Sequence, residues 1–151
     1  MDIGMILCAT DGSAAAGKAL ALACDLAKCK GSKLLLLHVY HPHRSGPGPD
    51  ELEVFAIAEN MAVSEAGAPY AVAEMIARQA EAAAREAGLR DVERLVVEGD
   101  PTRRIADIAR DRRADAIVVG SRGLGEVAGL LLGSVSHKLA QLAPCTCIIV
   151  R

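Results

Sequence analysis

The stretch KLLLLHVY, Lys33 to Tyr40, is a continuous apolar run broken by a single histidine. A strand with one face in water alternates apolar and polar residues, whereas a strand covered on both faces does not. The stretch therefore predicts a strand that is buried on both faces of a parallel sheet.

Other apolar runs on either side of this strand alternate with segments of helical periodicity. This alternation predicts parallel strands joined by right-handed crossover helices, in a single α/β domain over residues 1–151 with helices on both faces of a five-stranded sheet. The other predicted strands are 4–9, 92–97, 114–120 and 145–151, and the predicted helices are 14–30, 51–65 (weak), 70–87, one that begins at Pro101, and 134–142. Ser13, Gly31 and Asp100 are the predicted helix caps.

Composition excludes several classes of protein. Aromatic residues make up 2% of the chain, and its net charge of −2 comes from interspersed acids and bases, so a nucleic-acid partner is disfavoured. No apolar run approaches the roughly 18 residues of a membrane span, and the N-terminus lacks a basic leader. We therefore expect a cytoplasmic protein with no membrane partner.

The five cysteines are an odd number in a chain with no evident leader, which favours reduced thiols over a disulfide framework. Cys145 and Cys147 have no further ligands nearby in the sequence to complete a zinc site. His41 and His43 lie in a segment rich in Pro and Gly, where solvated side chains are the expectation. The sequence leaves any metal ligand unassigned.

Glycine is concentrated in GSRGLGEVAGLLLGSVSHKL, Gly120 to Leu139, where five of twenty residues are glycines. The segment lacks the lysine and the spacing of a Walker A loop, and its GxGxxxG follows the fourth predicted strand, so it is not a Rossmann fingerprint. Gly120 and Gly123 leave the end of that strand without side chains, while Gly133 and Ser134 begin a helix. This arrangement predicts that backbone N–H groups and the helix N-terminus close on a polyphosphate, with a plain chain reversal as the alternative.

A second polar cluster, Thr10 to Ser13, follows the first predicted strand. If the first and fourth strands are neighbours, both clusters line one cleft at the carboxyl edge of the sheet. Asp11 would then face a base, a ribose or a bound divalent cation. The alternative is that Asp11 forms a local Asx-turn or helix cap.

These segments together resemble the universal stress proteins. The family's nucleotide-binding members carry Gly-x2-Gly-x9-Gly-Ser/Thr, which matches Gly120, Gly123, Gly133 and Ser134, and the resemblance extends through ATDGS, LLLLHV, VVEGDP, ADAIVVGSRG and LLLGSVSHKLAQLAPCTCIIV. It implies strand order 3-2-1-4-5, bound ATP or another adenine nucleotide, Mg or Mn at its phosphates, and a homodimer through the C-terminal strand, Cys147 to Arg151. The implied nucleotide-binding residues are Ala9, Thr10, Asp11, Val39, Gly120, Ser121, Arg122, Gly123, Gly133, Ser134, Val135 and Ser136.

Three functions are consistent with this resemblance. The first is an ATP-binding stress-response or signalling protein that acts as a dimer. The second is a slow ATPase or adenine-nucleotide hydrolase at the same site, which is disfavoured because the loop has no Walker lysine and Asp11 is the only acid near the cleft. The third, a nucleotide-free interaction module, is disfavoured by the intact glycine pattern. The segment 41–66 offers no motif.

Overall fold

The computed structural model of the chain describes residues 2–41, 68–123 and 132–151. The strands are β1 (Met5–Ala9), β2 (Lys33–Tyr40), β3 (Val92–Glu98), β4 (Ala116–Gly120) and β5 (Thr146–Val150), and the helices within these ranges are α1 (Ala14–Lys30), α2 (Ala68–Glu86), α3 (Pro101–Asp111) and α4 (Ser134–Leu142). The weak helix predicted at 51–65, His43 and most of the loop around it lie outside the described residues.

The five strands form one parallel sheet in the order β3-β2-β1-β4-β5, which confirms the predicted fold class. The chain leaves β1 toward β2 on one side and later returns to β4 on the other, so the strand order reverses between β1 and β4. In open α/β sheets, ligands bind beyond the carboxyl ends of the strands at such a reversal. β1 ends at Ala9, just before Thr10, and β4 ends at Gly120 at this position.

Two apolar layers cover the sheet, one on each face. In β2 the side chains of Leu34 to Leu37 are all fully buried, as the continuous apolar run predicted. Leu34 and Leu36 pack in the layer that contains α1 and α2 residues, whereas Leu35 and Leu37 pack with α3 and α4 residues. The core is aliphatic, as the shortage of aromatic residues requires.

Helix ends follow the predicted caps. The Ser13 Oγ accepts a hydrogen bond from Ala16 N at 3.2 Å, and Gly31 ends α1 in the left-handed conformation with φ of 66°. The Asp100 Oδ1 accepts from Arg103 N at 2.9 Å at the start of α3. In the part of the chain that the structure describes, no helix is long and apolar enough to cross a membrane.

Candidate functional site

The two polar clusters of the sequence meet at the carboxyl edge of the sheet. β1 and β4 are paired neighbours, with Ala9 opposite Val119. The Ser13 hydroxyl lies 3.4 Å from the Arg122 carbonyl oxygen and donates to it. A Cβ atom placed on Gly123 would lie 2.5 Å from the Asp11 Oδ2 atom. The turn after β1 and the start of the glycine-rich loop are therefore in direct contact, as expected from the predicted neighbour strands.

Asp11 forms a local Asx-turn, which was the alternative to its facing a ligand in the sequence analysis. Its Oδ1 atom accepts a hydrogen bond from Ser13 N at 2.9 Å, while the Thr10 Oγ1 accepts from Gly12 N at 3.2 Å. These bonds make the turn rigid and hold the second carboxylate oxygen of Asp11 against the backbone of Gly123. The Asx-turn is thus present, and it also orients Asp11 toward the loop.

Gly120 has a packing role that the sequence analysis did not foresee. A Cβ atom at this position would lie 2.7 Å from the backbone carbon of Ala15 and 2.8 Å from Ala16 N. Because real Cβ contacts are never this short, a side chain here would push the first turn of α1 away from β4. The first glycine of the motif is therefore required for the close approach of a helix, and its role in phosphate access stays a prediction.

Ser121 and Ser136 are buried and join the two ends of the glycine-rich loop. Gly133 N donates to the Ser121 carbonyl oxygen at 2.7 Å, and the Ser136 hydroxyl lies 2.9 Å from the same oxygen and 3.1 Å from the Gly133 carbonyl. Ser121 N donates in turn to the Val150 carbonyl at 2.6 Å. These bonds give both serines a structural role, and their predicted contact with a nucleotide stays a prediction.

The helix that follows the loop begins beside the carboxyl end of β4, because Gly133 N donates to the carbonyl of Ser121. Gly133 is the N-cap of α4 and makes no side-chain capping bond, and Ser134, the first helical residue, is exposed. Arg122 is exposed as well. A helix N-terminus carries about half a positive charge and attracts anions. Of the predicted phosphate-binding residues, Gly133 and Ser134 form the start of α4, while Gly123 lies against Asp11.

Three predicted apolar site residues share one face of the sheet. Ala9, Val39 and Val135 are partly buried and pack against the layer that contains α3 and α4 residues. They come from the ends of β1 and β2 and from the first turn of α4. We call these three residues the apolar patch, and its member Ala9 lies two residues before Asp11.

His38 is a site residue that the sequence analysis missed. It is 7% exposed, and its Nδ1 atom lies 2.7 Å from the Thr10 carbonyl oxygen. Because a carbonyl oxygen only accepts, Nδ1 carries a proton and donates. Burial lowers the pKa of the imidazole, against the opposing effects of the Thr10 bond and the Asp11 carboxylate. The signal for this residue was the lone polar side chain in the apolar run of β2.

The described residues contain no group of three or more His, Cys, Asp and Glu side chains that could hold a metal ion. Mg²⁺ commonly binds proteins through one or two carboxylates and completes its shell with phosphate oxygens and water. Asp11 is suitably placed to be such a carboxylate. The expectation of Mg or Mn therefore depends on the phosphates of a bound nucleotide and stays a prediction.

Residues 3–151 match the universal stress protein family. The chain is 36% identical over 152 residues to a universal stress protein of Thermus aquaticus, with 97% of each chain covered. It is 33% identical over 161 residues to the universal stress protein YxiE of Bacillus subtilis, again with 97% of each chain covered. Among solved structures it is similar to a universal stress protein in complex with cAMP, at a TM-score of 0.71 and 30% identity over 100% of this chain and 99% of that one. The chain therefore belongs to the universal stress protein family.

Proposed function

We propose that this protein binds ATP, or another adenine nucleotide, between the ends of β1 and β4 and acts as a nucleotide-dependent stress-response or signalling dimer. The observation that carries the proposal is the contact between the Asp11 carboxylate and Gly123, at the point where the strand order reverses. This contact brings the Thr10–Ser13 turn and the glycine-rich loop together on one cleft. In open α/β sheets, ligands bind at this reversal of strand order, beyond the carboxyl ends of the strands.

The phosphate end of the nucleotide is proposed to lie against Gly123, Gly133 and Ser134. Gly123 keeps the backbone accessible next to Asp11, and α4 begins at Ser134 with the partial positive charge of its N-terminus. Several phosphates need several donors, and a Gly-rich loop that leads into a helix supplies them from the backbone. The spacing Gly-x2-Gly-x9-Gly-Ser is the basis for preferring ATP to a nucleoside monophosphate.

The base end is proposed to lie on the apolar patch of Ala9, Val39 and Val135. A purine ring has two flat apolar faces, and burying them against aliphatic side chains is favourable. The relative that was crystallised with cAMP supports an adenine base, because cAMP is an adenine nucleotide. His38 supports the turn of Thr10 and Asp11 beside this patch.

The dimer is proposed to form through β5, residues Cys147 to Arg151. β5 lies at one edge of the sheet, and its residues Cys147 to Val150 are only partly buried in the single chain. An exposed apolar edge strand is a template for pairing with another chain. A second copy that pairs with β5 would cover this edge.

Two measurements test nucleotide binding. Protein that is purified, denatured and examined by mass spectrometry is expected to release an adenine nucleotide. Nucleotide-free protein is expected to melt at a higher temperature with millimolar Mg-ATP, because a ligand that binds only the folded state stabilises it. A melting temperature that does not change with Mg-ATP would rule the proposal out.

The substitution Gly123→Ala tests where the nucleotide binds. Its added methyl group would meet the Asp11 carboxylate at 2.5 Å, so Asp11 and the loop must separate. We expect at least a tenfold loss of ATP affinity with an intact fold. Gly17→Ala adds the same methyl group where no atom lies within 4 Å, and this control is expected to bind ATP as the parent does. Unchanged ATP affinity in Gly123→Ala would show that the site is elsewhere.

A further inference from the structure

An open groove lies on the surface between the start of α3 and helix α4. It has a volume of about 460 Å³ and is lined by Asp100, Thr102, Arg103, Lys138 and Leu142. None of these five residues belongs to the predicted nucleotide-binding set. The groove is therefore a feature of the surface that nucleotide binding does not account for.

The groove carries more positive than negative charge, although the net charge of the chain is −2. Arg103 and Lys138 are exposed, and neither forms a salt bridge with a residue in the part of the chain that the structure describes. The acid of the groove, Asp100, is already engaged as the cap of α3, where its Oδ1 atom accepts from Arg103 N at 2.9 Å. Two cations beside one engaged acid favour an acidic ligand.

The groove also contains an exposed apolar side chain. Leu142, the last residue of α4, is 58% exposed, more than any other large hydrophobic side chain among the described residues. Lys138 precedes it by four residues, so the two side chains lie on one face of the helix, about 6 Å apart along its axis. A ligand that fills the groove must therefore cover an apolar group as well as neutralise the cations.

Thr102 adds a hydroxyl group that a ligand in the groove could bind. The residue is 5% exposed and lines the groove, and its side chain makes no hydrogen bond with residues 2–41, 68–123 and 132–151. A hydroxyl both donates and accepts, so it can pair with the N–H or the C=O group of a peptide backbone. Acidic, apolar and backbone groups occur together in a polypeptide.

We propose that this groove binds a segment of a partner protein that carries acidic residues close to an apolar side chain. The acids pair with Arg103 and Lys138, and the apolar side chain covers Leu142. A free anion would leave Leu142 in water, whereas an uncharged apolar segment would leave both cations unpaired. The proposal goes beyond the proposed function, which names no protein partner other than a second copy, and it does not require bound nucleotide.

The test uses two fluorescently labelled synthetic peptides, each with two adjacent glutamates and one leucine. The leucine follows the second glutamate by two residues in a peptide built to be extended and by four in a peptide built to be helical. Both spacings separate the two side chains by about 6–7 Å along the peptide, which matches Lys138 and Leu142. Fluorescence anisotropy measures binding to the nucleotide-free protein, and the parent is expected to bind at least one of the two peptides.

Charge reversal in the groove is expected to weaken this binding. Arg103→Glu and Lys138→Glu should each lower the affinity for the bound peptide at least about tenfold, because like charges then face each other. Lys18→Glu makes the same change at an exposed position of α1, on the opposite face of the sheet, and is expected to bind as the parent does. Leu142→Gln should lower the affinity about fivefold, whereas Leu22→Gln, also on α1, should not. Circular dichroism checks that every variant is folded.

An exchange of charges separates a specific contact from general attraction. A peptide with lysines in place of the glutamates is expected to bind the double variant Arg103→Glu/Lys138→Glu better than it binds the parent. The proposal is overturned if the parent binds neither glutamate peptide, or if Lys18→Glu weakens binding as much as Lys138→Glu does.

Two further results would also overturn it. One is that a peptide with glutamine in place of its leucine binds equally well, which would mean that charge alone attracts the peptide. The other is that an equal concentration of inorganic phosphate displaces the peptide, which would make the groove a site for a free anion. Because the peptide is titrated without nucleotide, each of these results leaves the proposed function standing, and a protein that binds no ATP could still bind the peptide.

Discussion

At the scale of single residues, His38 predicts how the stability of the site depends on pH. Its pKa in the folded protein is lower than the ordinary 6.5, chiefly because the ring is buried. Between the lowered pKa and 6.5 the unfolded chain binds more protons than the folded protein. The contribution of His38 to stability is therefore complete above pH 6.5 and is lost as the pH falls through the folded pKa.

The substitution His38→Asn removes the titration of this side chain while keeping its hydrogen bond. The asparagine Nδ2 atom can take the place of the histidine Nδ1 and donate to the Thr10 carbonyl, but it does not titrate. We expect the difference in unfolding free energy between parent and variant to shift in favour of the variant between about pH 7.5 and pH 5. His38→Leu, which loses the bond, is expected to be less stable than His38→Asn at neutral pH. Urea unfolding measures both, and a pH-independent difference between parent and His38→Asn would contradict the prediction.

The sequence predicts the role of some residues in the candidate site but not of others. Asp11 and Gly123 were found because each belongs to a short pattern that follows a strand end. His38 was not, because its importance depends on which atom lies near it after folding, namely the Thr10 carbonyl oxygen. Spacing along a chain carries no information about such contacts between distant segments.

At the scale of elements, Gly120 determines how closely α1 packs on β4. A methyl group at this position would lie 2.7 Å from the backbone of Ala15, and a backbone cannot rotate away as a side chain can. We expect Gly120→Ala to lower the free energy of unfolding by about 1–3 kcal/mol, as other overpacking substitutions do. Denaturation with urea at neutral pH measures the change.

The matched control is Gly17→Ala in the same helix. Gly17 is exposed and has no atom within 4 Å of an added methyl group. Alanine in a helix interior is more favourable than glycine by about 0.5–1 kcal/mol, so this variant is expected to be more stable than the parent. If Gly120→Ala proved as stable as Gly17→Ala, the tight contact between α1 and β4 would be refuted.

The observed bounds of the strands depend on hydrogen bonds that hydrophobic periodicity does not predict. The bounds of α1, β2 and α4 were predicted as observed, because caps and turn residues mark them. β1 and β4 begin one and two residues later than predicted, since the Asp115 carboxylate accepts from Gly4 N at 2.8 Å and from Met5 N at 3.0 Å. Ala114 N still donates to the Ala109 carbonyl at the end of α3. The Asp115 side chain and the end of α3 thus form hydrogen bonds with backbone groups that the apolar runs alone would assign to strands.

At the scale of the whole molecule, the alternation of strands and helices predicted the parallel sheet but not the order of its strands. Right-handed crossovers are compatible with more than one order, and the order 3-2-1-4-5 came from the family resemblance. The expected homodimer also came from the family resemblance. An edge strand indicates that pairing is available, but it does not say whether a second copy uses it.

The pairing of β5 with a second copy can be tested through the backbone alone. Ser121 N donates to the Val150 carbonyl, so the backbone groups of Val150 face β4. Because these groups alternate along a strand, those of Ile148 also face β4, whereas those of Ile149 face the open edge. Proline is tolerated on an edge strand where its missing N–H faces outward. Ile149→Pro is therefore expected to convert a dimer into a folded monomer, measured by light scattering and circular dichroism.

Ile148→Pro is the matched comparison, since it removes a donor to β4 instead. It is expected to destabilise the sheet of each protomer and so to lower the melting temperature more than Ile149→Pro does. Loss of the dimer in Ile149→Pro with native circular dichroism would assign the interface to the outer edge of β5. A parent protein that is monomeric, or an Ile149→Pro variant that remains dimeric, would contradict the proposed interface, because the proline removes an outward N–H donor of β5 and places its ring at the paired edge.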